Sequence, residues 1–223
     1  MAYVQRPRWA PDGSVTVQGR DLKGRQGFFR IDSASGEVHP LMLIDDNEVT
    51  ALQLSWLPDG KSFVYRRATA DKVAIVLREL ASGAERILVE HPSLAGLSLA
   101  PDGRTITFVT RDRGAHTSTL STMSISGGTS TEVVRLTGSS SLANFAEWTP
   151  DGRSLLFGKV EGEESSTWVI PTAGGAARKI AGLSTGVRLH PNGRQVAYHV
   201  GVNAVEIWTL ENFLPLTTTS TKR

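Results

Sequence analysis

The chain of 223 residues contains no cysteine and carries almost no net charge. The absence of cysteine excludes disulfides and thiolate metal sites, and it leaves the redox compartment open. A formal net charge of +2 is too small to indicate binding to nucleic acid. Every uninterrupted apolar run falls well short of the roughly 20 residues that span a bilayer, so membrane insertion is not expected.

Three sequence motifs of common catalytic sites are also missing. The sequence has no phosphate-binding Gly-x-x-x-x-Gly-Lys, no Gly-x-Gly-x-x-Gly and no His-Glu-x-x-His. The pattern Gly-x-Ser-x-Gly occurs at residues 182–186, but in a predicted loop between two strands and not in the strand–turn–helix context of a nucleophile elbow. We therefore expect no enzymatic activity, no cofactor and no metal. The histidines are scattered along the chain, and structural or solvated roles are predicted for all of them: His39, His91, His116, His190 and His199.

What the sequence does contain is a repeat built around a Pro-Asp-Gly turn. Proline presets φ, the aspartate side chain bonds the local backbone, and glycine accepts a positive φ. Between two apolar stretches this tripeptide joins antiparallel strands. In the fifth copy asparagine replaces aspartate and can make the same bond. The residues of this turn signature are Pro11, Asp12, Gly13, Pro58, Asp59, Gly60, Pro101, Asp102, Gly103, Pro150, Asp151, Gly152, Pro191, Asn192 and Gly193.

Further positions recur in phase with the turn. A large apolar residue stands two positions before each proline: Trp9, Trp56, Leu99, Trp148 and Leu189. Seven positions after the proline, four copies have an aromatic residue: Tyr65, Phe108, Phe157 and Tyr198. The first copy has Gln18 at this position. We predict that these side chains form the core between neighbouring units and do not bind a cofactor.

Each unit reads as four strands, here called a, b, c and d, with the Pro-Asp-Gly turn between a and b and a glycine turn between c and d. The repeat of roughly 40 to 50 residues is the period of a propeller blade. The sequence thus predicts an all-β fold, a β-propeller of five four-stranded blade repeats. The propeller domain is predicted over residues 1–215, with units at about 5–46, 52–91, 95–138, 144–183 and 185–215, and a disordered tail over 216–223.

The two ends of the chain leave the closure of the ring open. The fifth unit lacks a clear strand d, and few residues precede the first strand a. In one interpretation residues 1–4 pair with the last blade and close a five-bladed ring. In the other, the chain is the C-terminal part of a longer, incomplete propeller, and its open blade edges can drive self-association.

Loop lengths distinguish the two faces of the predicted propeller. The a–b and c–d turns are short and uniform, whereas the b–c and d–a loops are long and varied. Variable loops on a rigid scaffold carry binding residues, so we predict that the long-loop face, with the mouth of the central channel, binds the partner. Charged groups in these loops are predicted to be solvated: the basic Arg20, Lys23, Arg25, Arg66, Arg67 and Lys72, and the acidic Asp45, Asp46, Glu48, Glu161, Glu163 and Glu164.

The repeat Trp-x-Pro-Asp-Gly, followed by an apolar strand with an aromatic residue, resembles the TolB-like repeat of bacterial propellers, a WD40-like class. The residues that carry the resemblance are 9–13, 56–60, 99–103, 148–152 and 189–193. It implies a soluble, non-enzymatic propeller that binds proteins or peptides. The N-terminal sequence lacks the apolar stretch of a secretory signal. The compartment is therefore cytoplasmic as the chain stands, or periplasmic if a leader has been removed.

Three functions remain open at this point. The first is a scaffold for protein or peptide binding through the long-loop face. The second is a C-terminal sensor or regulatory propeller of a larger multidomain protein, with a small ligand at the channel mouth. The third is a propeller lyase or hydrolase, which would need convergent carboxylates and histidines with shifted pKa values.

Overall fold

The computed structural model describes residues 3–44, 50–184, 186–190, 194–200 and 206–211, which form nineteen strands in five antiparallel sheets. The first sheet holds β1 (Tyr3–Trp9), β2 (Val15–Arg20), β3 (Gln26–Ile31) and β4 (Val38–Leu43). The second holds β5 (Thr50–Trp56), β6 (Ser62–Ala68), β7 (Val73–Glu79) and β8 (Glu85–His91). The third holds β9 (Leu94–Leu99), β10 (Thr105–Asp112), β11 (Thr117–Ser124) and β12 (Thr131–Thr137).

The fourth sheet holds β13 (Ser140–Trp148), β14 (Ser154–Glu161), β15 (Glu164–Pro171) and β16 (Arg178–Ile180). The fifth, in the described part of the chain, holds three strands, β17 (Arg188–Leu189), β18 (Gln195–Val200) and β19 (Glu206–Glu211). Within every sheet the spatial order follows the chain order, so each sheet is a simple meander. The prediction of an all-β propeller is therefore confirmed. The predicted tail, residues 216–223, lies outside the described residues.

The first strand of each sheet is the inner strand and lines the channel. Inner strands of neighbouring sheets touch one another: the side-chain amide of Gln53 on β5 donates to the carbonyl of Leu97 on β9. Arg188 on β17 likewise reaches Glu147 on β13, with Nη1 and Oε2 3.4 Å apart. The fourth strands, such as β8 and β12, are the most exposed. No helix that could cross a membrane occurs among the described residues.

Four apolar clusters hold successive sheets together. Phe28 packs edge-on against Tyr65 with ring centroids 5.9 Å apart, which joins the first and second sheets. Phe108 lies in the cluster between the second and third sheets, and Phe157 in the cluster between the third and fourth. Val196 belongs to the cluster between the fourth and fifth. Three of the repeated aromatic residues thus sit where two blades meet, because the pleat turns that position toward the preceding sheet.

The signature turns also connect neighbouring blades. The turn glycines of the second, third and fourth blades face the proline of the preceding blade's turn. A Cβ added to Gly103 would lie 2.4 Å from Cδ of Pro58, and one added to Gly60 would lie 3.5 Å from Cβ of Pro11. The corresponding distance from Gly152 to Cδ of Pro101 is 3.9 Å. The tripeptide is therefore an inter-blade contact as well as a local turn.

The start of the chain bears on the closure of the ring. Tyr3 and Val4 belong to β1 and pair with Arg20 and Gly19 of β2. These two residues are part of the inner strand of the first sheet, which differs from the interpretation in which residues 1–4 extend the last blade. Phe28 and Phe29 point to opposite faces of the first sheet and are both buried, so both faces of that sheet are covered.

Candidate functional site

The central channel has two ends of different construction. Each inner strand runs from a long loop to its Pro-Asp-Gly turn, so the turns gather at one end and the long loops at the other. We call the end lined by Pro11, Pro58 and Pro101 the turn mouth. We call the opposite end the loop mouth, and Arg66 on β6 and Arg111 on β10 lie toward it, past the middle of their strands.

The turn mouth contains a cavity of about 910 Å³. Its wall is made by the last residues of the inner strands and by the prolines of the turns. Gln53 and Leu97 are the lining residues farthest from the turns along their strands. The volume falls within the range of about 300–1,000 Å³ that is typical of ligand pockets. The apolar side chains that the repeat places in this wall are Trp9, Trp56, Leu99 and Leu189.

Trp9 differs from the other residues at its repeat position. It is 72% exposed, although the sequence pattern predicted core packing. Trp56 by contrast is partly buried against Phe63, with ring centroids 5.4 Å apart, and its Nε1 donates to Oγ1 of Thr16 at 2.9 Å. The prediction is therefore wrong for Trp9, whose ring lines the cavity and has, among the described residues, no ring contact like that of Trp56 with Phe63.

Three charged residues lie in the wall of the same cavity. Oε2 of Glu147 lies 3.4 Å from Nη1 of Arg188. The positive charge of Arg8, on β1, also interacts with the carboxylate of Glu147. Burial raises the pKa of Glu147, and the charges of Arg188 and Arg8 oppose this shift. Burial lowers the pKa of Arg8, with Arg188 adding to the effect and Glu147 opposing it. The arrangement is one carboxylate between two guanidinium groups, a polar spot in a largely apolar wall.

The loop mouth contains arginine side chains, one of which the sequence pattern predicts to be solvated in a loop. Arg66 lies on β6 and is half-buried, and its Nη1 donates to Oε1 of Gln53 at 3.4 Å. Nη2 of Arg111, near the end of β10, donates to the carbonyl of Leu142 at 2.7 Å. The solvated interpretation is therefore wrong for Arg66. It arose because the sequence placed the start of the loop at residue 66, whereas β6 continues to Ala68.

The other charges predicted to be solvated have varied surroundings. Arg67 pairs with Glu85, with Nη1 and Oε2 2.9 Å apart. Lys72 pairs with Glu90, with Nζ and Oε2 2.7 Å apart. The cluster Asp45, Asp46 and Glu48 lies outside the described residues.

The signature aspartates do not converge on a common site. Oδ1 of each accepts a hydrogen bond from a backbone amide of its own turn: Ser14 to Asp12 at 3.1 Å, Lys61 to Asp59 at 2.9 Å, Arg104 to Asp102 at 2.8 Å and Arg153 to Asp151 at 3.0 Å. Gly13, Gly60, Gly103 and Gly152 all have a positive φ, between 66° and 82°. The fifth turn, Pro191, Asn192 and Gly193, lies outside the described residues. Among the residues with defined positions, no group of three His, Asp or Glu could hold a metal ion.

A second cavity, of about 940 Å³, lies between the third and fourth sheets on the turn side. Pro101, Asp102 and Pro150 contribute to its wall, together with Trp148. The indole Nε1 of Trp148 is buried and has no hydrogen-bond partner. Neither cavity could be found from the sequence, because each lies between segments distant in the chain.

The ring of antiparallel meanders around a channel is a β-propeller, and solved structures of TolB proteins share this fold. TolB from Acinetobacter baumannii has a TM-score of 0.76 at 17% sequence identity, over 95% of this chain and 52% of that chain. A putative TolB from Agrobacterium tumefaciens has a TM-score of 0.73 at 19% identity, over 95% and 78%. The predicted resemblance is thus confirmed for the fold.

The fold is shared with an enzyme as well. An oligogalacturonate lyase in complex with manganese has a TM-score of 0.71 at 13% identity, over 93% of this chain and 61% of that chain. No protein-family model matches the sequence, and no curated protein matches it either. The chain spans about half the length of the Acinetobacter TolB. The fold alone therefore does not select between binding and catalysis.

Proposed function

We propose that this chain is a non-enzymatic propeller that binds a peptide segment of a partner protein in the cavity of the turn mouth. The observation that carries the proposal is the exposed ring of Trp9 at the rim of a cavity of about 910 Å³. The turn mouth replaces the long-loop face as the proposed surface, because the Trp9 rim and its cavity belong to that end. A role for the long-loop face stays a prediction.

The exposure of Trp9 supports binding because the repeat provides its own reference. Trp56 and Trp148 occupy the same position and pack against the inter-blade clusters. An exposed indole contributes little to folding, whereas tryptophan and arginine dominate the binding energy of protein interfaces. A partner that covers Trp9 would bury its indole ring in the way that the propeller itself buries the ring of Trp56.

The charged groups of the wall suit the main chain and polar side chains of a peptide. Arg8 and Arg188 are donors with only one carboxylate, Glu147, between them. An incoming carbonyl or carboxylate can therefore accept a hydrogen bond without displacing an existing ion pair.

A binding role is favoured over catalysis by the composition of the wall. Among the described lining residues, Glu147 is the single carboxylate, and it lies between two guanidinium groups. General acid–base chemistry uses pairs of groups whose pKa values are pushed apart. A carboxylate shared by two arginines supplies an ion pair instead.

Selection of random short peptides displayed on phage tests the proposal. We expect enriched peptides to bind the purified chain with dissociation constants of roughly 1–100 µM. Trp9→Ala should weaken them by about tenfold or more, as interface tryptophans do. The matched control is Leu22→Ala, since Leu22 is an exposed apolar residue, 85% accessible, in the b–c loop of the first blade.

Two results would contradict the proposal. One is a selection that enriches no peptide. The other is a set of peptides that bind the Trp9→Ala variant as tightly as the parent chain. Arg113 lies in the b–c loop between β10 and β11, on the long-loop face. Peptides that instead lose affinity with Arg113→Ala would make that face the binding surface.

A small ligand in the same cavity is the second candidate, favoured by the cavity volume. A thermal-shift screen of metabolites separates it from the first. A compound that raises the melting temperature of the parent chain and not of Glu147→Gln would support a small-ligand site. A screen without hits, alongside enriched peptides, would leave the peptide as the ligand.

A further inference from the structure

A backbone position of the inner strand recurs in an unusual conformation. The residue five positions before the signature proline has a positive φ in four blades: Arg6 at 54°, Gln53 at 55°, Gly96 at 66° and Gly186 at 90°. The pairing of the inner strand with its neighbour shifts around this position in the first four blades. Each of these inner strands thus carries a β-bulge at the same place in the repeat.

Glycine suits this position, because it alone adopts a positive φ without steric cost. Two blades use glycine there, so the propeller itself needs no side chain at the bulge. Arg6 and Gln53 occupy it at a cost of about 1 kcal/mol or more each. A residue that is kept against its backbone preference is a sign of a functional constraint. Among the positive-φ residues at this position, Arg6 and Gln53 are the two with long polar side chains.

Gln53 positions a buried arginine. Its amide group donates to the carbonyl of Leu97, and its Oε1 accepts from Nη1 of Arg66. Nε of Arg66 is shielded from solvent and has no hydrogen-bond partner. The guanidinium of Arg66 therefore has an acceptor at Nη1 but none at Nε. A charged donor that is shielded from water and lacks an acceptor is energetically costly.

The charges that act on Arg66 are all positive. Burial, followed by the charges of Arg6 and Arg111, lowers the pKa of Arg66 to about 10. Burial also lowers the pKa of Arg111, and the charge of Arg113 adds to the shift. Cations gathered in a partly dry site repel one another, and a bound anion would remove that repulsion.

Arginines elsewhere in the described residues show what a purely structural role looks like. Arg30 pairs with Asp12, and both Arg67 and Arg78 pair with Glu85. Arg6, Arg66 and Arg111 have no such carboxylate among the residues that the structure places. Arg66 and Arg111 lie toward the loop mouth, and Arg6 lies at the middle of β1, three residues before Trp9.

We propose that the loop mouth binds an oxyanion with two or more negative charges, held by Arg6, Arg66 and Arg111, with Gln53 orienting Arg66. The planar guanidinium fork matches carboxylate and phosphate oxygens equally well. The shared chemistry of the ligand is therefore a polycarboxylate or a phosphate. This site lies farther from the turns than the peptide site, and the two share Gln53, which also lines the turn-mouth cavity.

Titration calorimetry on the complete chain, with citrate and pyrophosphate in separate arms, tests the proposal. At physiological ionic strength we expect at least one of them to bind with a dissociation constant of roughly 0.1–1 mM. Binding of citrate alone assigns a carboxylate ligand, and binding of pyrophosphate alone assigns a phosphate. Binding of neither at about 10 mM would overturn the proposal.

Three variants and a matched control locate the site. Arg66→Met and Arg111→Met should each weaken binding about tenfold, and Arg6→Gly should weaken it severalfold. Arg178→Met removes the same charge from the exposed strand β16 and should leave binding unchanged. Equal weakening by Arg178→Met would show attraction to net charge only, and would overturn the proposal. Arg6→Gly keeps the test decisive if a methionine variant fails to fold, because glycine suits the backbone at that position.

Two further variants separate this site from its alternatives. Trp9→Ala should leave anion binding intact, because it removes a side chain at the other mouth. The acidic sequence Asp45, Asp46 and Glu48 directly precedes β5 in the chain. If citrate and pyrophosphate bind only after Asp45→Asn, Asp46→Asn and Glu48→Gln are combined, the chain's own carboxylates occupy the cluster, and the proposal of an external ligand is overturned.

Discussion

The two mouths of the channel are built from the same inner strands, yet they depart from the repeat in different ways. At the turn mouth the residue types follow the repeat, and it is the environment of one member, Trp9, that differs. Deeper in the channel, toward the loop mouth, the residue types themselves differ, because Arg6 and Gln53 stand where two other blades have glycine. In a repeat protein the common pattern explains the fold, so the departures from it are where function is to be sought.

The largest effect is expected from the turn that most tightly joins two blades. Gly103→Ala forces a positive φ on alanine and places Cβ 2.4 Å from the ring of Pro58. We expect a loss of about 3 kcal/mol in the free energy of unfolding, from backbone strain and overpacking together. Gly13→Ala is the matched control, since nothing lies within 4 Å of its Cβ, and strain alone should cost about 1 kcal/mol. Denaturant unfolding measures both, and equal losses would mean that the turn mouth is held by local turns only.

The second prediction compares one repeat position in two blades. Trp56→Ala removes the contact with Phe63 and the hydrogen bond to Thr16, and should cost roughly 3 kcal/mol of stability. Trp9→Ala removes a ring that is 72% exposed, and should change stability by less than about 0.5 kcal/mol. Urea melts of the two variants give both values. A large loss in Trp9→Ala would assign that ring a structural role and weaken the contrast.

The third prediction concerns the loop mouth. Arg6→Gly relieves an unfavourable backbone conformation, so the variant should be more stable than the parent chain by about 0.5–1 kcal/mol. The same variant should bind oxyanions less well. A thermal melt alongside calorimetry reads out both properties, and a destabilised Arg6→Gly variant would show that the arginine contributes to the fold.

The smallest effect is a pH dependence at the turn mouth. Burial raises the folded-state pKa of Glu147 above its unfolded value, so the folded protein holds a proton that the unfolded chain releases. Between these two pKa values, stability should fall as the pH rises. Glu147→Gln should remove this component, and its melting temperature should vary less across that window than that of the parent chain. Identical pH profiles would show that Arg8 and Arg188 fully compensate the burial.

The sequence was a good guide to the fold because the signals that define a blade are local. The turn chemistry of Pro58, Asp59 and Gly60 and the aromatic residue at position 65 lie within a few residues of one another. The contact between Gly103 and Pro58 could not be read from the same pattern, because it depends on how two sheets pack. The bulge at Arg6 and Gln53 could not be predicted either. A position with positive φ is recognisable in a sequence when it is occupied by glycine, and here it is not.

The candidate sites were predicted less well. The prediction of the long-loop face rests on loop length. Loop length indicates where a fold tolerates variation, but it does not indicate which side chains come together in space. Arg66 was assigned to a loop because the end of a strand is poorly defined in sequence. Trp9 was assigned to the core because its counterparts are there.

The contact of a turn glycine with the preceding turn proline, seen for Gly60, Gly103 and Gly152, also bears on how such a chain changes in evolution. The second and third turns carry both halves of the contact, a proline for the next blade and a glycine for the previous one. A unit duplicated in frame would therefore bring its own complementary surface, and the blades on either side would need no new residues to accept it. Loss of a whole unit would restore the same pairing across the gap. Single duplications or deletions can therefore change the number of blades. The Pro-Asp-Gly tripeptide of each unit would keep the spacing between neighbouring blades the same.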